Sequence, residues 1–294
     1  MTVSRRDARK SALTLLYQWD VTERAPGELY EGEIDAYAQQ VTDAVVRDAA
    51  ELDRLSLWPQ LHGQAESVRY GAVEMGGKRV RPVLTLAIGE ANGASIEQML
   101  PAALAIELVH NFSLVHDDLP SLDNDDERRG KATVWAAYGE GTALLAGDAM
   151  LAEAFRLACR YETSHVAREL AQATLGMIGG QYLDTMVEGA DLETVHRLKT
   201  GCLFYASIAM GLSAAGVPED AQGPWRAFGD ELGMLFQVVD DILDDDGFVV
   251  ERGPDGARAL ADQAAERCRA RLAEVDADTS VLREIVDSLA VRTV

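Results

Sequence analysis

The sequence predicts an all-α protein, a bundle of about ten helices. Three observations carry that prediction. Apolar residues recur at spacings of three and four along most of the chain, and nothing alternates with period two for long. Gly-, Pro- and Asp-rich breaks at 188–191, 216–224 and 253–256 then cut the pattern into helix-length pieces.

The elements follow in chain order. "SRRDARK" concentrates bases at Arg5, Arg6, Arg9 and Lys10, with Ser4 as N-cap and Ala12, Leu15, Leu16 and Trp19 on one apolar face. "ERAPGELYEGE" breaks the chain before a second helix over 34–55, whose stripe is Ala38, Val41, Val45, Ala49 and Leu52. "PAALAIELVHNFSLVHDD" is apolar almost all round, as a buried central helix is. Pro101 suits its first position, and Pro120 requires it to end near Asp118. "GTALLAGDAMLAEAFRLACRY", "SHVARELAQATLGMIGGQYLDTMVEG", "LETVHRLKTGCLFYASIAMGLSAAG" and "PWRAFGDELGMLFQVVDDILDDDG" are further long helical patterns.

Composition narrows the function classes. A net charge of −22 argues against bulk binding to nucleic acid or anionic membrane and leaves local acid clusters free to hold divalent cations. Cys159, Cys202 and Cys268 lie far apart without metal-ligand spacing and read as reduced thiols of a cytoplasmic protein. No leader-like apolar run opens the chain, and no continuous apolar run long enough to span a membrane is evident.

Two acidic motifs stand out: Asp117, Asp118 and Asp123 (DDxxxxD), and Asp240, Asp241 and Asp244 (DDxxD). Either alone reads more readily as a solvated face of an acidic chain than as a metal site. Both, however, end strongly apolar helices, where the backbone dipole is already negative and extra aspartates are unfavourable without a cation. Asp240 and Asp244 share a helix face, and a turn at Pro120 brings Asp123 back toward Asp117. Carboxylates are hard ligands suited to Mg²⁺, which also takes phosphate oxygens. Cationic groups accompany them: Lys78, Arg79 and Arg81 in "GGKRVRP", Arg128, Arg129 and Lys131 in "RRGK", and Lys199 beside Thr200 in "LKTG". His110 precedes Asp117 by about two helical turns and shares its face.

In order, "GGKRVRP", "ELVHNFSLVHDDLPSLDNDDERRGK", "LAGDAMLAEAF", "GMIGGQYLD", "LKTG" and "FQVVDDILD" resemble the motifs of the trans-prenyltransferases, the polyprenyl diphosphate synthases, and most closely bacterial farnesyl diphosphate synthases. The resemblance covers roughly residues 65–294. It implies an isoprenoid-synthase helical bundle with a central apolar cavity, a synthase domain over 51–294, and a homodimer in the cytoplasm. It also implies Mg²⁺, three ions with bound diphosphate, held by Asp117, Asp118, Asp123, Asp240 and Asp244, with Asp241 in support. Lys78, Arg81, His110 and Arg129 match the isopentenyl diphosphate pocket; Arg128 and Lys199 match contacts to the allylic diphosphate. Thr200 and Gln237 match residues whose oxygens face a developing allylic cation. The implied reaction is ionisation, condensation and elimination, in a water-excluding site. Phe112, about 7.5 Å along the helix from Asp117, matches a residue that closes the floor at fifteen carbons. Geranylgeranyl diphosphate synthase and class I terpene cyclase are the neighbouring alternatives, and a cyclase has no use for the second diphosphate pocket.

The chain departs from the family pattern twice. Residues 245–294 contain no lysine where the family carries a lysine-bearing loop, leaving Arg252 or Arg258 as substitutes. Residues 1–50 resemble the start of the antitermination factor NusB, whose basic first helix contacts RNA. The short match favours an inherited helical fragment over an RNA-binding protein.

Overall fold

The computed structural model describes residues 62–77 and 79–291. The segment over 1–50, the helix expected at 34–55 and Lys78 lie outside the described residues. Among those described, eleven α-helices, two π-helical turns and a 3₁₀ turn account for nearly all regular structure, with one two-stranded hairpin. The protein is all-α, as its periodicity requires. The chain forms two compact units, one of the described residues up to Val83 with Leu100–Glu162, the other of Leu84–Met99 with residues from Thr163 onward.

The first unit contains α1 (His62–Arg69), a π turn (Tyr70–Glu74), the start of α2 (Val80–Ala91) and most of α3 (Ile96–Asp117). A hairpin of β1 (Glu127–Arg128) and β2 (Lys131–Ala132) follows, then α4 (Val134–Tyr138) and α5 (Glu140–Ala158). Gly71 lets the π turn approach closely, since a Cβ there would stand 2.8 Å from Met150 Cε. The helix expected to start at Pro101 instead starts a turn and a half earlier. Ser95 Oγ accepts the Gln98 N–H as an N-cap, and Pro101 lies inside the helix. The disturbed backbone finds a substitute partner: Ala102 N–H donates to the Tyr161 hydroxyl at 3.1 Å. Among the described residues, α3 is the helix long and apolar enough to cross a membrane, but its most apolar window is 67% buried, as suits a core helix.

The second unit contains α6 (His165–Met186), α7 (Leu192–His196), a π turn (Arg197–Gly201), α8 (Cys202–Ala214) and a 3₁₀ turn (Glu219–Ala221). It continues with α9 (Gly223–Asp244), α10 (Phe248–Ala273) and α11 (Ser280–Val291). Helix α8 is buried on nearly every side, packed between α6 and α9. Gly211 lies against Ile88, and Thr85 Oγ1 donates to Ser207 O at 3.0 Å. The break expected at 253–256 is a kink within α10, where Gly253 turns to φ 76°, ψ 163°.

Candidate active site

In the first unit the acidic motif is built by a reversal at the end of α3. The helix stops at Asp117, the chain turns through Leu119 and Pro120, and the Asp123 N–H returns to the Asp117 carbonyl at 2.9 Å. The first and last acids of DDxxxxD thus share one turn, Asp117 half-buried and Asp123 exposed. Asp118 differs. The spacing grouped it with the metal ligands, but it is only 2% exposed and Arg128 engages it through Nε at 2.8 Å and Nη2 at 2.6 Å. Burial pushes its carboxyl up, and Arg128 offsets this only in part.

Cations gather beside that turn. Arg129 and Gly130, at φ 55° and 72°, make the tight hairpin turn that joins β1 to β2. Arg129 Nη1 donates to Gly76 O at 2.8 Å, Lys131 Nζ to Glu74 O, and the Tyr70 hydroxyl to Ala132 O at 2.7 Å. The hairpin is thereby tied to the loop that precedes α2. Arg79, at φ 43°, turns inward to Glu107 at 2.5 Å and to Ala72 O at 2.9 Å. Burial, then the charges of Arg81, Arg129, Arg79 and Arg128, hold His110 well below the usual imidazole range. His110 is therefore neutral at pH 7, and the charges of four arginines act on it. Phe112 is 6% exposed, its ring edge-on to His116 with centroids 5.2 Å apart. His116 Nε2 in turn bonds to Leu144 O at 3.0 Å.

A stability consequence follows for His110. Its folded pKa lies below the unfolded value near 6.5, so the unfolded chain binds the extra proton as pH falls below that value. Stability is lost across this window, from about 6.5 down to the depressed folded value. His110→Asn should flatten the fall in melting temperature between about pH 7 and 5; an unchanged slope would assign the loss to other groups.

In the second unit, Lys199 and Thr200 sit on the π turn that interrupts the expected α7–α8 helix. Such turns insert one residue and re-aim side chains, often at functional sites. Gly180 makes room for it, because a Cβ there would stand 2.3 Å from the Lys199 backbone nitrogen. Lys199 Nζ pairs with Asp184 Oδ2 at 2.5 Å. Asp184 and Gln181 were not singled out by sequence reasoning, although "GGQYLD" contains both. The Gln181 side-chain amide is buried with neither its nitrogen nor its oxygen hydrogen-bonded. At the end of α9, Asp240 is half-buried and Asp244 exposed, while Asp241 is buried. Burial pushes the Asp241 carboxyl up, but His196, the Phe248 N–H and Gln237 outweigh it and hold it low. Gln237 and His196 also wall a cleft of about 820 Å³.

The polyprenyl synthetase pattern matches residues 65–254. The chain belongs to the polyprenyl synthetase family. It is 36% identical over 266 residues to the farnesyl diphosphate synthase of Escherichia coli, covering 77% of this chain and 88% of that protein. It is 41% identical over 195 residues to a geranylgeranyl diphosphate synthase of Cyanophora paradoxa, covering 61% of this chain and only 64% of that relative's length. Among solved structures it resembles an FPP/GFPP synthase of Zymomonas mobilis, at TM-score 0.77 and 33% identity over 86% of this chain and 96% of that one. A geranyltranstransferase of Thermotoga maritima aligns at TM-score 0.74 and 30% identity over 85% and 95%. The helical fold is that of the isoprenoid synthases.

Mg²⁺, which the family implies, fits the donor chemistry. Among the described residues no three acidic, His or Cys side chains form a ready-made metal cage. Mg²⁺ asks for none, since it binds through one or two carboxylates, waters and substrate phosphates. Asp117 with Asp123, and Asp240 with Asp244, offer carboxylates of that kind.

Proposed function

We propose that this polyprenyl synthetase is a Mg²⁺-dependent chain-elongating prenyltransferase that joins isopentenyl diphosphate to dimethylallyl or geranyl diphosphate and releases farnesyl diphosphate. The observation that supports it is the set of arginines whose charges reach His110, which we read as a second anion pocket beside an acidic turn. A terpene cyclase, with a single diphosphate substrate, has no use for that pocket. Bound Mg²⁺ supplies Lewis acidity to the leaving diphosphate. Asp117, Asp123, Asp240 and Asp244 are its ligands; Asp118 is engaged by Arg128 and supports that arginine instead.

Each remaining role follows from charge and position. Arg81, Arg129 and neutral His110, with Lys78, hold the isopentenyl diphosphate headgroup. Arg128 and Lys199 hold the allylic diphosphate, and Asp184 pairs with Lys199. Thr200 and Gln237 turn oxygens toward the allylic carbon as the C–O bond breaks. The isopentenyl double bond attacks that carbon, and the proton lost from the adduct leaves with the released diphosphate. Packed apolar walls exclude water that would capture the cation.

The assembly is proposed as a cytoplasmic homodimer. Leu175, Ile178, Tyr182 and Met186 form an exposed apolar stripe along α6, of the kind a second copy covers. The proposed synthase domain is residues 51–294, preceded by the segment over 1–50. Incubation with Mg²⁺, isopentenyl diphosphate and dimethylallyl or geranyl diphosphate should yield farnesyl diphosphate. Absence of any elongated diphosphate would overturn the assignment.

A further inference from the structure

Four segments converge on one carboxylate in the second unit. Asp241 is 5% exposed. Its Oδ1 accepts from Gln237 Nε2 at 2.7 Å, and its Oδ2 accepts from the Phe248 N–H at 2.9 Å. His196 Nε2 stands 3.3 Å from Oδ2, a close polar contact and not an aligned hydrogen bond. The His196 ring also lies against the Phe248 ring, with centroids 5.3 Å apart. Gly247, at φ 50°, passes so near that a Cβ there would meet Asp241 Oδ2 at 2.1 Å. Behind it, Asp245 adopts the left-handed conformation at the end of α9, and the Asp246 N–H returns to the Asp241 carbonyl at 3.1 Å.

We propose that Asp241 is a positioning residue and not a metal ligand: it ties the turn bearing Lys199 and Thr200, and the start of α10, to the helix end bearing Asp240 and Asp244. This rests on the function proposed above. Helical geometry separates the roles. Asp240 and Asp244 project within about 40° of one another around α9, whereas Asp241 projects about 100° from Asp240. Both Asp241 oxygens are already engaged by the protein. Each partner leads to a working element. His196 directly precedes the Arg197–Gly201 turn, Gln237 is one turn back on α9, and Phe248 opens α10. The Phe248 N–H is one of the first amides of α10, which has no partner within its own helix. Only Asp245, Asp246 and Gly247 separate the two helices, so Asp241 reaches the start of α10 across a tight connection.

The test compares Asp241→Asn, Asp241→Ala and Asp240→Asn in the full-length protein. It reads thermal melting and calorimetric binding of inorganic diphosphate with Mg²⁺. Asparagine at 241 keeps an acceptor for the Phe248 N–H, and Gln237 can present its carbonyl to the new amide by turning over. Asp241→Asn should therefore bind diphosphate within about threefold of wild type, a change under about 0.7 kcal/mol, and melt close to it. Asp241→Ala, which strands its donors, should melt lower and bind about tenfold or more weakly. Asp240→Asn should stay folded and lose Mg²⁺-dependent binding. If Asp241→Asn loses binding as Asp240→Asn does, Asp241 is a ligand and the proposal falls. If Asp241→Ala matches wild type in both readouts, the tie has no role and the proposal again falls. Should the alanine variant not fold, the two asparagine variants decide alone. A wild type that binds no diphosphate with Mg²⁺ would overturn the proposed function instead, while a melting order of Asn near wild type and Ala below it would still support the tie.

Discussion

Asp117→Ala is expected to reduce chain elongation by about a thousandfold or more while leaving the protein folded. Asp117 is the last residue of α3, and its carbonyl is occupied by the Asp123 N–H, so its place in the turn is fixed by backbone and survives loss of the side chain. What is lost is a carboxylate charge at a helix end. Lewis-acid help to a diphosphate leaving group is worth several kcal/mol, and each 1.36 kcal/mol is about tenfold in rate. On stability, two small effects oppose each other. Removing an anion from a helix C-terminus relieves the dipole by about 0.3–1 kcal/mol, while the attraction of Asp117 for Arg128 is lost. The melting temperature should therefore move by only a few degrees, about 4 °C or less. Product formation from radiolabelled isopentenyl diphosphate checks the rate, and a thermal melt checks the fold. Turnover at the wild-type rate would remove Asp117 from the metal site.

The sequence pattern made the elements legible but not the connections between them. Helical period and breaks gave α5, α6 and α9 nearly to their ends, because amphipathic spacing is local. The start of α3 was misplaced because Pro101 is a favourable first residue, while the cap that wins, Ser95 with Gln98, lies just upstream. The compensating partner of Ala102, Tyr161, lies 59 residues away. "VHRLKTGCLF" reads as unbroken helix, since periodicity is blind to a π turn that depends on Gly180 of another helix. The acidic motifs are legible as spacing, but which acid faces inward is not. Asp118 is turned by Arg128 and Asp241 by the Phe248 N–H, and both partners come after the motif in the chain. Local spacing cannot distinguish a carboxylate that meets solvent from one that meets a later segment of the chain.

Phe112→Ala should extend the product beyond fifteen carbons, with geranylgeranyl diphosphate or longer chains replacing farnesyl diphosphate. Family membership does not decide product length here, because similar proteins are named both farnesyl and geranylgeranyl diphosphate synthases. The proposed floor of the chain cavity lies on α3. Phe112 lies about 7.5 Å along that helix from Asp117, with its ring buried and edge-on to His116. A ring in that position has two separable roles. As plain core, its removal leaves a cavity, costs about 3–5 kcal/mol and changes no product. As the floor of the chain cavity, its removal costs similar stability but opens space that a longer prenyl tail fills. Ligand linkage separates the two, since a molecule that binds only the folded state raises its stability. For a floor residue, geranylgeranyl diphosphate should raise the melting temperature of Phe112→Ala more than that of wild type, and chromatography of the products should show added five-carbon units. A C15 product with no extra stabilisation by the longer diphosphate would assign Phe112 to packing against His116 and move the floor elsewhere.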